Sequence, residues 1–297
     1  MTPRERFVLS RAARLCVETF GSPGDPAILL LGGAASTLDF WEDEFCARLA
    51  DAGRHVIRYD QRDAGRSTSS PPSAPAYTGA DLTADALAVL DGVGVAAAHL
   101  YGLSMGGGIA QEIALEHPER VASLVLESTS PAVPGGPDRP PLPPPEPRLA
   151  EAFAADADAT DAAAAGTDWT DREAAVGAMV ETERAFAGTL PFDAGQMRRI
   201  AARAYDRTAD MAALQTNHWL AAGDGEPSSR RLGEIAAPTL VLHGTADPLF
   251  PLAHGEALAA EIPGARLVPL PGAGHQYPPE PLWDLVIGEV LAHTGGP

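Results

Sequence analysis

In the stretch LYGLSMGGGIAQEIAL one serine, Ser104, sits between Gly102 and Gly106, after an apolar run and before text with helical spacing. G-x-S-x-G in that context describes a sharp strand-to-helix turn that lifts a serine oxygen above the end of a sheet. The glycines are needed because a side chain at either position would strike the adjoining strand or helix. An alcohol is a weak nucleophile: it needs a base, and the base needs a group to orient it. The sequence supplies both, with Asp247 in PTLVLHGTADPLFP and His275 in LVPLPGAGHQYP, each just past an apolar run. The chemistry is attack by Ser104 on a carbonyl carbon, with His275 as general base and Asp247 fixing the imidazole tautomer. Charge building on the carbonyl oxygen needs N–H donors. The helix that follows Ser104 offers the Met105 amide, and the glycine pair in AILLLGGAAS offers that of Gly33, beside which a substrate oxygen has room.

Other residues invite weaker readings. Glu127 closes the run SLVLE, a second position from which an orienting acid can come, and if it faces the site its charge raises the pKa of His275. The segment RYDQRDAGRSTSS, Arg58 to Ser70, carries Asp60, Arg62, Asp63 and Arg66, expected to hold that loop and the serine turn together. His99, His117 and His243 read as structural, and His55, His218, His254 and His293 lack metal-ligand spacing, so neither metal nor cofactor is expected. Glu181, Glu183 and Asp193 read as solvated helix charges; the alternative is binding of a substrate's free amine.

The elements that must position these groups are legible as short apolar runs, AILLLGG, HVIRYD, AHLYG, ASLVLES, TLVLHG and ARLVPLPG, separated by helix-period text. Such alternation predicts an α/β fold with a mostly parallel sheet covered on both faces. Leu82, Ala86, Val89 and Leu90 form one helical stripe ending at glycine, and the helix carrying Ile109 and Ile113 must stop before Pro118. The rhythm breaks over 131–231, which reads as a helical cap inserted between the two core portions, 1–130 and 232–297. The insertion opens with a proline-dense stretch expected to be extended and continues through AADADATDAAAAG, expected to be mobile or weakly helical. Trp169, Phe186, Phe192, Met197, Tyr205, Met211 and Trp219 then give its helices enough apolar bulk to pack.

The chain has 297 residues with 21 Lys+Arg against 40 Asp+Glu, a formal charge of −19 that argues against nucleic acid and anionic membranes as partners. Only Cys16 and Cys46 are present, so no disulfide framework is expected and both read as small buried hydrophobes. The opening MTPRERFVLSRAARLC lacks a secretory pattern and no run suits a membrane span, which makes a cytoplasmic monomer the default expectation.

With these residues assembled, the chain resembles the α/β-hydrolases and, within them, the aclacinomycin methylesterases of anthracycline biosynthesis. HVIRYDQRDAGRST, VLDGVGVAAAHLYGLSMG, PTLVLHGTADPLFPLAHG and IPGARLVPLPGAGH carry the likeness. The resemblance implies that Ser104, Asp247 and His275 form a triad and that Gly33 and Met105 give the oxyanion hole. It also implies hydrolysis of a methyl ester on a small apolar polycyclic polyketide, releasing methanol and a carboxylic acid without a cofactor. The prolines and alanines of the insertion, and Glu127, depart from that family's pattern. Lactonase, cofactor-free perhydrolase, carbon–carbon bond hydrolase and aminopeptidase chemistry stay open at this stage, as does a non-catalytic ligand-binding role.

Overall fold

The computed structural model describes residues 3–135, 139–147, 149, 166–222 and 230–295. The alanine-rich stretch 154–165 read from sequence lies outside them. Six strands match the apolar runs: β3 (Ala27–Leu31), β4 (His55–Tyr59), β5 (Ala98–Leu103), β6 (Val121–Glu127), β7 (Thr239–Gly244) and β8 (Arg266–Leu270). Two more, β1 (Arg4–Ser10) and β2 (Ala13–Phe20), form an antiparallel pair that sequence reasoning missed. The eight-stranded sheet runs β1-β2-β4-β3-β5-β6-β7-β8; the six strands from β4 to β8 are parallel to one another, and β4 meets β2 antiparallel.

Parallel strands covered on both faces alternate their burial between two cores. Leu29 and Leu31 of β3 join one cluster while Ile28 and Leu30 join the other. The first face is covered by α2 (Gly79–Val93), α3 (Met105–Glu116) and α7 (Ala253–Glu261), the second by α1 (Asp43–Asp51) and α8 (Trp283–Thr294). The predicted stripe Leu82, Ala86, Val89 and Leu90 is the buried face of α2. That helix starts with a Thr78–Asp81 capping box and ends at Gly94, whose φ of 79° suits a residue without a side chain.

Between β6 and β7 lie α4 (Arg172–Phe186), α5 (Ala194–Arg207) and α6 (Met211–Ala222). Asp171 and Asp193 cap the first two through their side chains. A third apolar cluster holds these helices together and onto the core, joining Val176, Met179, Met197 and Met211 to Phe40 and Ala64. Residues 139–146 form neither helix nor strand. They are pinned to the sheet domain by Glu146 N–H donating to Pro248 O (2.8 Å) and His254 Nε2–H to Pro143 O (2.9 Å).

Candidate active site

All the groups singled out for chemistry collect beyond the C-terminal ends of parallel strands: Gly33 after β3, Ser104 after β5, Asp247 after β7 and His275 after β8. Ser104 has φ 52° and ψ −117°, a conformation that non-glycine residues rarely adopt. Packing enforces it. A Cβ on Gly102 would collide with the Gly106 carbonyl, and one on Gly106 with the Leu31 carbonyl, so only glycines let α3 start this close to the sheet. Ser104 N–H donates to Glu127 O (3.0 Å), and Thr129 Oγ1–H donates to Ser104 O (2.7 Å).

His275 Nε2 lies 2.9 Å from Ser104 Oγ, and His275 Nδ1 lies 3.0 Å from Asp247 Oδ2. A carboxylate only accepts, so Nδ1 carries the proton and Nε2 is left to accept from the serine hydroxyl. The other oxygen of Asp247 accepts the amides of Leu249 (2.9 Å) and Phe250 (2.8 Å). Burial alone would raise the Asp247 carboxyl, but His275, His243 and the Phe250 amide outweigh it and hold it below the usual carboxylate range. His243, structural by its sequence context, stands behind this carboxylate at 3.7 Å and donates Nε2–H to Phe250 O (2.7 Å).

The loop after β3 is held by a set of hydrogen bonds. The Gly33 amide is already engaged, donating to the Tyr277 hydroxyl at 2.9 Å. Tyr277 in turn hydrogen-bonds Ser36 Oγ (2.6 Å), whose own proton goes to Gly33 O (2.9 Å). Ala35 N–H donates to His218 Nδ1 (3.0 Å), and Gln61 Nε2–H to Gly32 O (2.8 Å). Among the described residues the one amide of this loop segment, Gly33 to Ala35, with no partner is that of Ala34, in the cleft wall beside Ser104. Of the two neighbouring amides, Gly33, expected from sequence, is engaged by Tyr277 and Ala34 is not. Met105, as the first residue of α3, also has an amide with no intrahelical partner.

Glu127 does not serve as an alternative acid in this geometry. Its side chain is buried and accepts the Tyr101 hydroxyl, while His275 Nδ1 points to Asp247. Burial pushes its carboxyl up to about 8, against the lowering effect of Tyr101. Between the ordinary carboxyl range and about pH 8 the unfolded chain is ionised here and the folded chain is not, so stability falls as pH rises through that window. Glu127→Gln is expected to remove a slope worth a few kcal/mol in total, flattening Tm between pH 5 and 8. An unchanged Tm–pH profile would show that Glu127 is already ionised at neutral pH.

The loop after β4 ties elements together but none of its four charged residues bonds to the serine turn. Arg62 forms a two-point pair with Asp85 of α2 (2.7 and 2.9 Å), and Arg66 pairs with Glu5 of β1 (2.7 Å). Asp63 accepts Tyr77 Oη–H (2.6 Å) and Asn217 Nδ2–H (2.9 Å), and Asp60 meets Arg207 of α5 (2.6 Å). Three further histidines have structural partners: His99 with Ser123, His218 with Arg62 O and His293 with Leu124 O. Among the described residues no three His, Cys, Asp or Glu side chains gather as a metal site. Cys16 and Cys46 are buried and unbridged.

The cleft over Ser104 is walled by Leu103, Leu249 and Tyr277 from the sheet side, and by Glu183 and Phe186 of α4 and Trp219 of α6. The insertion is joined to the histidine loop by backbone contacts. His275 N–H donates to Phe186 O (2.9 Å), and Thr189 N–H donates to Gly272 O (2.8 Å). Gly188 and Gly274 are the residues that permit this crossing, since a Cβ on either would enter the opposite backbone.

A mostly parallel sheet that presents a serine, a histidine and a carboxylate in series on three strand-end loops defines the α/β-hydrolase class. The chain belongs to the alpha/beta hydrolase fold family, whose model matches residues 26–277. It is 33% identical to a rhodomycin D methylesterase of Streptomyces peucetius and 34% identical to one of Streptomyces sp. strain C5, each over 97% of both chains. Among solved structures, a hydrolase from Pseudomonas aeruginosa superposes with a TM-score of 0.71 at 29% identity, covering 99% of each chain. No helix among the described residues is long and apolar enough to cross a membrane.

Proposed function

We propose that this protein is a carboxylic ester hydrolase that removes the methyl group from a polycyclic aromatic polyketide ester, with Ser104, His275 and Asp247 as its triad. The hydrogen-bonded series from Ser104 Oγ through His275 to Asp247 carries the chemical half of this reading. Full-length similarity to two rhodomycin D methylesterases supports the substrate half.

In the cycle, Ser104 Oγ attacks the ester carbonyl as its proton passes to His275 Nε2, and Asp247 stabilises the imidazolium that forms. The amides of Met105 and Ala34 receive the oxyanion, each such donor being worth about 2.7–4 kcal/mol. Collapse expels methoxide, which takes the proton from His275 and leaves as methanol. Water then attacks the acyl-enzyme, giving its proton to His275, and the carboxylic acid departs as Ser104 is regenerated. Gln61, His218 and Tyr277 position the oxyanion loop through their bonds to Gly32 O, Ala35 N–H and Gly33 N–H.

The test is methanol release from rhodomycin D beside short-chain nitrophenyl esters. Turnover of rhodomycin D at a kcat/KM above that for the simple esters is the expected result. Cleavage of the simple esters alone would keep ester hydrolysis and remove the polycyclic substrate.

A further inference from the structure

We infer that Glu183 anchors a subsite for an organic cation carried on the acyl part of the substrate, an inference that rests on the ester-hydrolase reading for its catalytic meaning. Glu183 and Phe186 are three residues apart on α4 and therefore share a face. Both line the cleft that contains Ser104 and His275, and the Phe186 ring stands 5.6 Å from the His275 ring. Among the described residues no hydrogen-bond donor or cation meets the Glu183 carboxylate. The arginines of its own helix are committed elsewhere, Arg184 to Glu181 and the Phe192 ring, Arg172 to Asp206. The other two acids of this region are also accounted for, Glu181 by Arg184 and Asp193 by the cap of α5.

A partly buried carboxylate without a counter-charge is costly unless a ligand supplies one. Burial pushes this carboxyl up to about 7, and a cation bound beside it would lower it again. The surrounding walls decide which kind. Phe186, Tyr277 and Trp219 present aromatic surface around the same space, which suits an alkylated ammonium group, attracted by the carboxylate and by ring faces together. A metal ion is disfavoured because a single carboxylate offers too few ligands. An anionic substituent would be repelled both locally and by the chain's charge of −19.

The subsite is tested by two measurements at pH 8.5, where Glu183 is ionised. The first is calorimetric titration of benzyltrimethylammonium into wild type and Glu183→Gln, a readout independent of turnover. Binding to wild type that weakens about tenfold in the variant is expected, the size of a lost charge-assisted contact. Absence of binding to wild type, or equal affinity in both, overturns the subsite. The second compares methyl arylacetates bearing a trimethylammoniomethyl group or its uncharged neopentyl isostere. Wild type should prefer the cation about tenfold in kcat/KM, and Glu183→Gln should bring that ratio near one, with Glu183→Asp retaining part of it. A ratio unchanged by Glu183→Gln overturns the inference. Cation binding without hydrolysis of either ester would leave the subsite standing and remove the ester-hydrolase reading.

Discussion

Ser104→Ala is expected to lower kcat for ester hydrolysis by roughly 10⁴–10⁶-fold while leaving the fold intact. The hydroxyl's hydrogen-bond partner is His275, and the turn itself is held by Ser104 N–H donating to Glu127 O and by the Thr129 hydroxyl donating to Ser104 O, both of which alanine keeps. The positive φ of 52° is imposed by the elbow, so the substitution adds no new conformational demand. Asp247→Asn separates nucleophile from tautomer control. An amide nitrogen facing Nδ1 favours the imidazole with its proton on Nε2, which then cannot accept from Ser104, and a loss of about 10⁴-fold is expected. The double variant should be little worse than Ser104→Ala alone, because groups acting as a unit are not additive. Losses under about tenfold in Ser104→Ala, with unchanged circular dichroism and Tm, would show that another group performs the attack.

The second large effect concerns stability. Arg207, near the end of α5, reaches into the core to pair with Asp39 and with Asp60 (2.6 Å), whose side chains are 1% and 0% exposed. Asp60 also accepts the amides of Leu38 (2.9 Å) and Arg66 (3.0 Å), so its carboxylate organises two loops. Burial pushes the Asp60 carboxyl upward while Arg207 pulls it down. Arg207→Met leaves that carboxylate without its guanidinium, at a cost of about 3–5 kcal/mol, or a Tm lower by about 10 °C. Loss of the cation raises the folded-state pKa of Asp60 further, so the deficit should shrink as pH falls and Asp60 is protonated. Arg207→Met with Asp60→Asn should recover most of the loss. A Tm within about 2 °C of wild type for Arg207→Met would mean that the insertion docks on the core through apolar contacts alone.

What was legible in the sequence follows from range. The serine turn, the strand-end loops of Asp247 and His275, and the stripe of α2 are local patterns, written within a few residues of one another. The engagement of the Gly33 amide was not legible because the hydroxyl that accepts it belongs to Tyr277, 244 residues away. Glu127 was ambiguous for the same reason: whether its carboxyl meets His275 or Tyr101 is decided by the pairing of β5 with β6. His218 carried no motif, and its work on Ala35 and Arg62 depends on where α6 comes to rest. The charged loop after β4 was recognised as scaffolding, but its partners lie on β1, α2, α5 and α6 rather than on the serine turn. The missed strands β1 and β2 form an antiparallel edge, where one face meets water and the apolar run is interrupted.

The crossing of residues 186–190 over the histidine loop also matters for redesign. Because Phe186 O receives the His275 amide and Thr189 N–H holds Gly272 O, this short span is structurally half of the His275 loop although the chain places it between β6 and β7. A chimaera that exchanges the whole segment between β6 and β7 at the ends of the sheet strands imports a foreign clasp for the His275 loop along with a foreign cleft wall. Exchanging the segments on either side while retaining 186–190, with Gly188 facing Gly272 and Gly274, would let the cleft wall be changed without disturbing the hydrogen bonds that seat His275.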